Sequence, residues 1–83
     1  MKNVVVYTMK NCPYCVAAKQ LLTRRGIKFE EILVREDDDA KWEELYKISG
    51  MKTMPQIFQG KDLVGGYTEL TELDSQDELK SLK

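Results

Sequence analysis

Apolar and β-branched residues open the chain as Val4-Val5-Val6-Tyr7-Thr8, which with Lys2 predicts a buried strand over 2–8, broken at Met9-Lys10-Asn11. The period then lengthens. Cys15, Ala18 and Leu22 recur at helical spacing with Ala17 and Leu21 beside them, while Lys19, Gln20, Thr23 and Arg24 take the other side. Pro13 stands where a helix accepts proline, at its first position, whose N–H has no intrahelical partner in any case. Gly26 ends this helix in the manner of a C′ glycine. Residues 27–34 read as a second strand, and the alternation spoiled at Glu30-Glu31 suits an element packed on both faces.

Asp37-Asp38-Asp39 opens a second helix with Trp42, Leu45, Tyr46 and Ser49 as its inward face and Gly50 as its end. The acidic triplet is read as an N-cap followed by acids that the helix dipole favours, not as a cation site. Residues 55–59 and 63–64 are two short strands joined through Gly60-Lys61-Asp62, a hairpin-type turn. Gly65-Gly66 precedes a short helical segment through Leu70 and Leu73. Ser75-Gln76-Asp77-Glu78 has the form of a capping box for a last helix ending near Leu82. The resulting order is β-α-β-α-β-β-α. Its first β-α-β unit predicts a right-handed crossover between parallel strands, and the late hairpin an antiparallel pair. The expected architecture is α/β, a four-stranded mixed sheet flanked by helices on both faces, built as one domain over 1–83.

Composition narrows the class. With 83 residues the chain lies near the lower size limit for an unstapled core. Thirteen basic and fourteen acidic residues leave a net charge of −1, with no Lys/Arg block to mark a nucleic-acid or anionic-membrane partner. No run approaches the roughly 20 apolar residues of a membrane span, and Val4-Val5-Val6 is too brief for a signal-peptide core. A soluble, cytoplasmic protein is expected.

The chemistry lies in Cys12-Pro13-Tyr14-Cys15, which holds both cysteines of the chain. Two thiols in C-x-x-C spacing at a helix start have the geometry of a reversible dithiol/disulfide switch. A structural bridge is a poor alternative, because so short a ring removes little entropy from the unfolded chain. A metal site is a poor one too: the chain has no histidine, and two thiolates do not complete a tetrahedral shell. Cys12 falls at the N-cap, where free N–H groups and the positive end of the helix favour a thiolate. With no imidazole available, the helix terminus and Lys10 supply the positive potential. Cys15, on the stripe with Ala18 and Leu22, is expected to be buried and to resolve a mixed disulfide instead of starting one.

Cys12-Pro13-Tyr14-Cys15 after a strand, then Thr53-Met54-Pro55-Gln56-Ile57-Phe58, then Gly65-Gly66-Tyr67-Thr68, resembles a dithiol glutaredoxin of the thioredoxin fold. The motifs occur in the family's order from Lys2 to about Leu73. The resemblance implies a glutathione-dependent thiol–disulfide oxidoreductase that needs no metal. Its partners would be glutathione and disulfide-bearing or glutathionylated proteins, ribonucleotide reductase among them, and it would act as a monomer. It implies a cis Met54-Pro55 bond that turns the Met54 backbone towards an extended thiol ligand, with Thr53 in the same loop. It implies close backbone approach at Gly66 and a carboxylate held at Tyr67 and Thr68, the γ-glutamyl end of glutathione. Tyr14 would flank the tripeptide, and Lys52 and Gln56 match positions that help hold it in relatives. Lys10 would pair the glycyl carboxylate, although the family usually places its basic residue one position earlier, where this chain has Met9. Trp42 occupies a position where relatives often carry Arg or Gln and is read as core. Two other readings fit the motifs less well. A reductant recharged by thioredoxin reductase would tend to lack the Gly65-Gly66-Tyr67-Thr68 set. An iron–sulfur cluster carrier would usually have a small residue in place of Pro13.

Overall fold

Strand β1 (Val4–Thr8) is central because its β-branched and aromatic residues suit a pleated surface covered on both sides. The computed structural model describes residues 3–60 and 62–76. The other elements are α1 (Pro13–Arg24), β2 (Phe29–Leu33), α2 (Asp39–Ser49), β3 (Gln56–Gln59), β4 (Asp62–Gly65) and α3 (Tyr67–Ser75). The four strands run β2-β1-β3-β4 across the sheet. β1 is parallel to β2, with Val4 opposite Phe29 and Thr8 opposite Leu33, and antiparallel to β3, with Val6 opposite Ile57. β3 and β4 form the antiparallel hairpin. This is the thioredoxin-like fold that the motif order implied.

Alternation along β1 divides the interior into two clusters. Val4 and Val6 pack with Ala18, Leu21 and Leu22 of α1, with Ile27 and Ile57, and with Leu70 of α3. Tyr7 belongs to the other cluster, around Val34, Leu45 of α2, Met54 and Phe58, and its ring meets Phe58 edge-on at 5.6 Å. Both cysteines lie in this second cluster. The dithiol is therefore part of a core as well as of a surface.

Helix ends follow local chemistry. Beyond Arg24 the chain turns through Gly26 at φ 72°. The Gly26 N–H donates to the Thr23 carbonyl at 3.0 Å and the Ile27 N–H to the Leu22 carbonyl at 2.9 Å, a Schellman motif. Leu22 and Ile27 share the first cluster, so this stop is packed as well as hydrogen-bonded. The Asp38 carboxylate caps α2 by accepting the Lys41 N–H at 3.2 Å, and Gly50 at φ 70° ends it. The acidic triplet acts as a cap, as expected.

Two expectations need correction. β2 is an edge strand with Glu30 and Glu31 exposed, not an element packed on both faces. Both carboxylates reach solvent, and Glu31 is also held by the Lys19 ammonium and the Thr8 hydroxyl. On α2 only Leu45 is buried; Tyr46 is 45% exposed, because the helix touches the sheet along a narrow stripe. Ser75 is the last residue of α3, its hydroxyl donating to the Glu72 carbonyl at 2.8 Å, and the capping box read over 75–78 extends outside the described residues. The final helix towards Leu82 lies outside the described residues. Among the described residues no helix is long and apolar enough to cross a membrane.

Leu22 is fully buried between α1 and the sheet. Leu22→Ala is expected to cost about 3 kcal/mol through lost burial and the cavity left behind. Urea unfolding measures it, and a loss under about 1 kcal/mol would contradict tight packing at this position.

Candidate active site

β1 ends at Thr8, and Asn11, at φ 60°, turns the chain so that Cys12 becomes the N-cap of α1. Asparagine tolerates this left-handed conformation better than most residues. The Cys12 sulfur accepts the Cys15 N–H at 3.2 Å. It fills the place a Ser or Asp oxygen takes in an ordinary cap, and Pro13 at N1 leaves no competing donor there. In the thiol form Cys12 also donates to the Met54 carbonyl at 3.7 Å. Its Sγ thus lies between the helix amides and the loop that precedes β3. Cys12 is 7% exposed and Cys15 2%.

The two sulfurs have different surroundings. Burial first, then the hydrogen bond and charge of Cys12, push the Cys15 thiol up from 9.0 to about 12. A backbone hydrogen bond at Met9 and the charge of Lys19 partly offset this. Cys15 is thus held as a thiol at neutral pH, in keeping with its place on the apolar stripe.

Met54-Pro55 is cis. The loop around it is held by Gln56, whose fully buried amide donates from Nε2 to the Met51 and Thr53 carbonyls, each at 3.2 Å. Gln56 shapes this loop from inside and is not placed to meet a ligand at the surface. Gly66 is buried against the same loop: a Cβ there would sit 3.1 Å from Met51 Cε and 3.4 Å from the Pro55 carbonyl. Its N–H donates to the Glu69 carboxylate at 3.1 Å. The first-turn amides of Tyr67 and Thr68, which by helix geometry lack intrahelical partners, follow directly. The Tyr67 ring leans against Tyr14 at 5.8 Å, joining the start of α3 to the dithiol segment. Tyr14 is 64% exposed.

Of the residues singled out from the sequence, Cys12 meets the Met54 carbonyl, Gly66 lies against the Pro55 carbonyl and Tyr67 against Tyr14, with Thr68 next along the chain. Thr53 and Lys52 are exposed on the same loop, and the Lys52 ammonium lies 5.0 Å from the Tyr46 ring. Lys10 stands apart. It is exposed and lines a cavity of about 590 Å3 on the β2 side of the dithiol, together with Cys12, Cys15, Lys19, Glu31 and Leu33. Trp42 is packed against the second cluster and donates from Nε1 to the Arg35 carbonyl at 3.0 Å, which fits its reading as core. Sequence reasoning missed Asn11, Glu69 and the Lys19–Glu31 pair. The capping-box spacing of Glu69 was within reach, but the pair is joined only by the β1-α1-β2 fold. Among the described residues no group of three or more His, Cys, Asp or Glu is placed to hold a metal.

The glutaredoxin family model matches residues 4–64. The chain belongs to the glutaredoxin family. It is 43% identical over 82 residues to Glutaredoxin 3 of Escherichia coli, spanning 99% of this chain and 98% of that protein. Among solved structures it superposes on a glutaredoxin from Brucella melitensis with a TM-score of 0.85 at 41% identity, covering 99% and 88% of the two chains. It superposes on a buckwheat glutaredoxin–glutathione complex with a TM-score of 0.87 at 26% identity, covering 98% and 76%. The chain is accordingly a thiol–disulfide oxidoreductase, with Cys12 and Cys15 as the family's C-x-x-C dithiol.

The raised Cys15 thiol makes stability pH-dependent. An unfolded chain loses this proton near 9.0, the native one near 12, so the native state holds the extra proton in between. Stability is then full below the lower value and falls as pH rises through the window, by at most about 1.4 kcal/mol per pH unit from this group. Urea unfolding of the reduced protein from neutral pH upward is expected to show this fall. Cys15→Ser should fall less steeply, and equal slopes would contradict the assignment.

Proposed function

We propose that this protein is a glutathione-dependent reductant of protein disulfides and glutathione mixed disulfides, with Cys12 as nucleophile and Cys15 as resolving thiol. The observation that carries the reading is the contrast between the two sulfurs. Cys12 caps a helix and faces the Met54 loop, whereas Cys15 is buried one turn inside with its thiol pushed up to about 12. Amide donation and the helix dipole stabilise negative charge on Cys12, as an attacking sulfur requires.

In the monothiol cycle the Cys12 thiolate attacks the glutathionyl sulfur of a mixed disulfide and the substrate thiol leaves. A second glutathione then attacks the Cys12-bound glutathionyl group, giving oxidised glutathione and restoring the thiolate. With a protein disulfide, Cys12 forms a mixed disulfide with the substrate. Cys15 displaces the substrate thiol and leaves a Cys12–Cys15 disulfide, which glutathione reduces.

Glutathione would lie along the Met54 backbone as an added strand, its sulfur towards Cys12. The Tyr67 and Thr68 amides at the start of α3 would receive the γ-glutamyl carboxylate, and Gly66 lets the backbone come close. Tyr14 and Thr53 would flank the peptide, and Lys52 would supply a cation for the glycyl carboxylate. Lys10, across the dithiol, fits that role less well. The buckwheat glutaredoxin–glutathione complex, of the same fold, supports glutathione as the ligand. All these groups come from one chain, which would act as a monomer. Disulfide-bearing or glutathionylated proteins, ribonucleotide reductase among them, are its candidate substrates, in a compartment that supplies reduced glutathione.

Cys12→Ser is expected to lower kcat/KM for a glutathionylated peptide by at least about a thousandfold. Cys15→Ser should retain that reaction and lose the reduction of protein disulfides by the dithiol route. Full activity in Cys12→Ser would overturn the choice of nucleophile.

A further inference from the structure

The cavity on the β2 side of the dithiol holds an ion pair that the reaction scheme above does not use. The Glu31 carboxylate, on β2, accepts the Lys19 ammonium at 2.9 Å and the Thr8 hydroxyl at 2.8 Å through the same Oε2. Thr8 is buried at the end of β1, so this pair is anchored to the sheet and does not float on the surface. An exposed ion pair by itself contributes little. This one lines the same cavity as Cys15. Lys19 lies four residues beyond Cys15 on α1, where side chains share a face with Cβ atoms about 6 Å apart.

We propose that Lys19 is a positioning cation for the resolving step, held at the cavity beside Cys15 by Glu31 and Thr8. The inference rests on Cys15 as the resolving thiol. In that step Cys15 gives its proton to solvent in the cavity, and its thiolate attacks Cys12 Sγ of a mixed disulfide. The Cys12–Cys15 bond forms and the bond from Cys12 to the substrate sulfur breaks. The leaving thiolate carries away the electron pair and takes a proton, so the dithiol is oxidised as the substrate is reduced. The difficulty is making a thiolate in a site this closed, and a fixed ammonium one turn away lowers that cost.

The charged and titratable groups around Cys15 are few. Lys10, Lys19, Glu31 and Cys12 line the cavity, and the apolar cluster on the remaining sides adds Tyr7. Lys19 is the cation whose charge opposes the burial of Cys15. Glu31 is held ionised by its hydrogen bonds to Lys19 first and Thr8 second, which ties the partly exposed ammonium to the strand that borders the cavity.

Stopped-flow reaction of the reduced protein with an aromatic disulfide that releases a coloured thiolate separates the two steps. The first release, by Cys12, depends on reagent concentration, and the second, by Cys15, does not. In Lys19→Met the pH profile of the second phase is expected to move to higher pH. A profile displaced by one pH unit makes that phase about tenfold slower at pH 7. Lys19→Arg should restore most of the rate and the pH profile. A Lys19→Met profile that superimposes on the native one, or that drops equally at every pH, would overturn the role of Lys19. If Cys15→Ser still shows the reagent-independent phase, the resolving role of Cys15 fails instead, and the inference with it.

Discussion

The structure depends on one hydrogen bond at the start of α1, in which the Cys15 N–H is received by the Cys12 sulfur at 3.2 Å. A helix must satisfy or solvate its first amides, and here the group that does so is the reactive atom itself. Capping and chemistry are therefore one interaction. Moving the sulfur off the cap would weaken the helix start as well as the nucleophile. The rest of the fold fixes where that helix begins: β1 delivers the chain to Asn11, whose left-handed turn sets the cap.

Around this point the sheet order places different chemistry on each side. β3 lies beside β1 on one side, bringing the Met54-Pro55 loop and, through β4, the Gly66-Tyr67-Thr68 start of α3. β2 lies on the other, bringing Glu31 to Lys19. Cys12 borders both sides, touching Met54 and lining the β2-side cavity. One flank thus offers backbone groups and a glycine approach suited to a peptide ligand. The other offers a cavity lined by Lys10, Lys19 and Glu31 together with Cys15. A small protein has little interior to spare, and this one places both cysteines in the cluster that joins α2 to the sheet.

Much of this was legible along the chain because the signals are local. Pro13 at N1, Gly26 and Gly50 as stops, and Asp38 as a cap each act within one helical turn, and each sits where its spacing implies. The three motifs of the resemblance converge because sheet order brings their ends together. What the sequence hid depends on neighbours distant in the chain. Glu30-Glu31 looked like a break in a doubly packed strand, because nothing local says that β2 is an edge. Tyr46 looked inward because the helical period does not reveal how narrow the stripe facing the sheet is. Gln56 read as a ligand contact, yet its fully buried side chain holds carbonyls of its own loop. Lys10, read as a contact to the glycyl carboxylate, lines the cavity on the β2 side together with Cys12.

The most direct test of the account is NADPH-coupled reduction of a small disulfide, run once with glutathione and glutathione reductase and once with thioredoxin reductase alone. The account predicts rapid turnover with glutathione and none above background with thioredoxin reductase. Turnover with thioredoxin reductase alone, and none with glutathione, would contradict it and leave the flank formed by Met54, Gly66 and Thr68 without its proposed ligand.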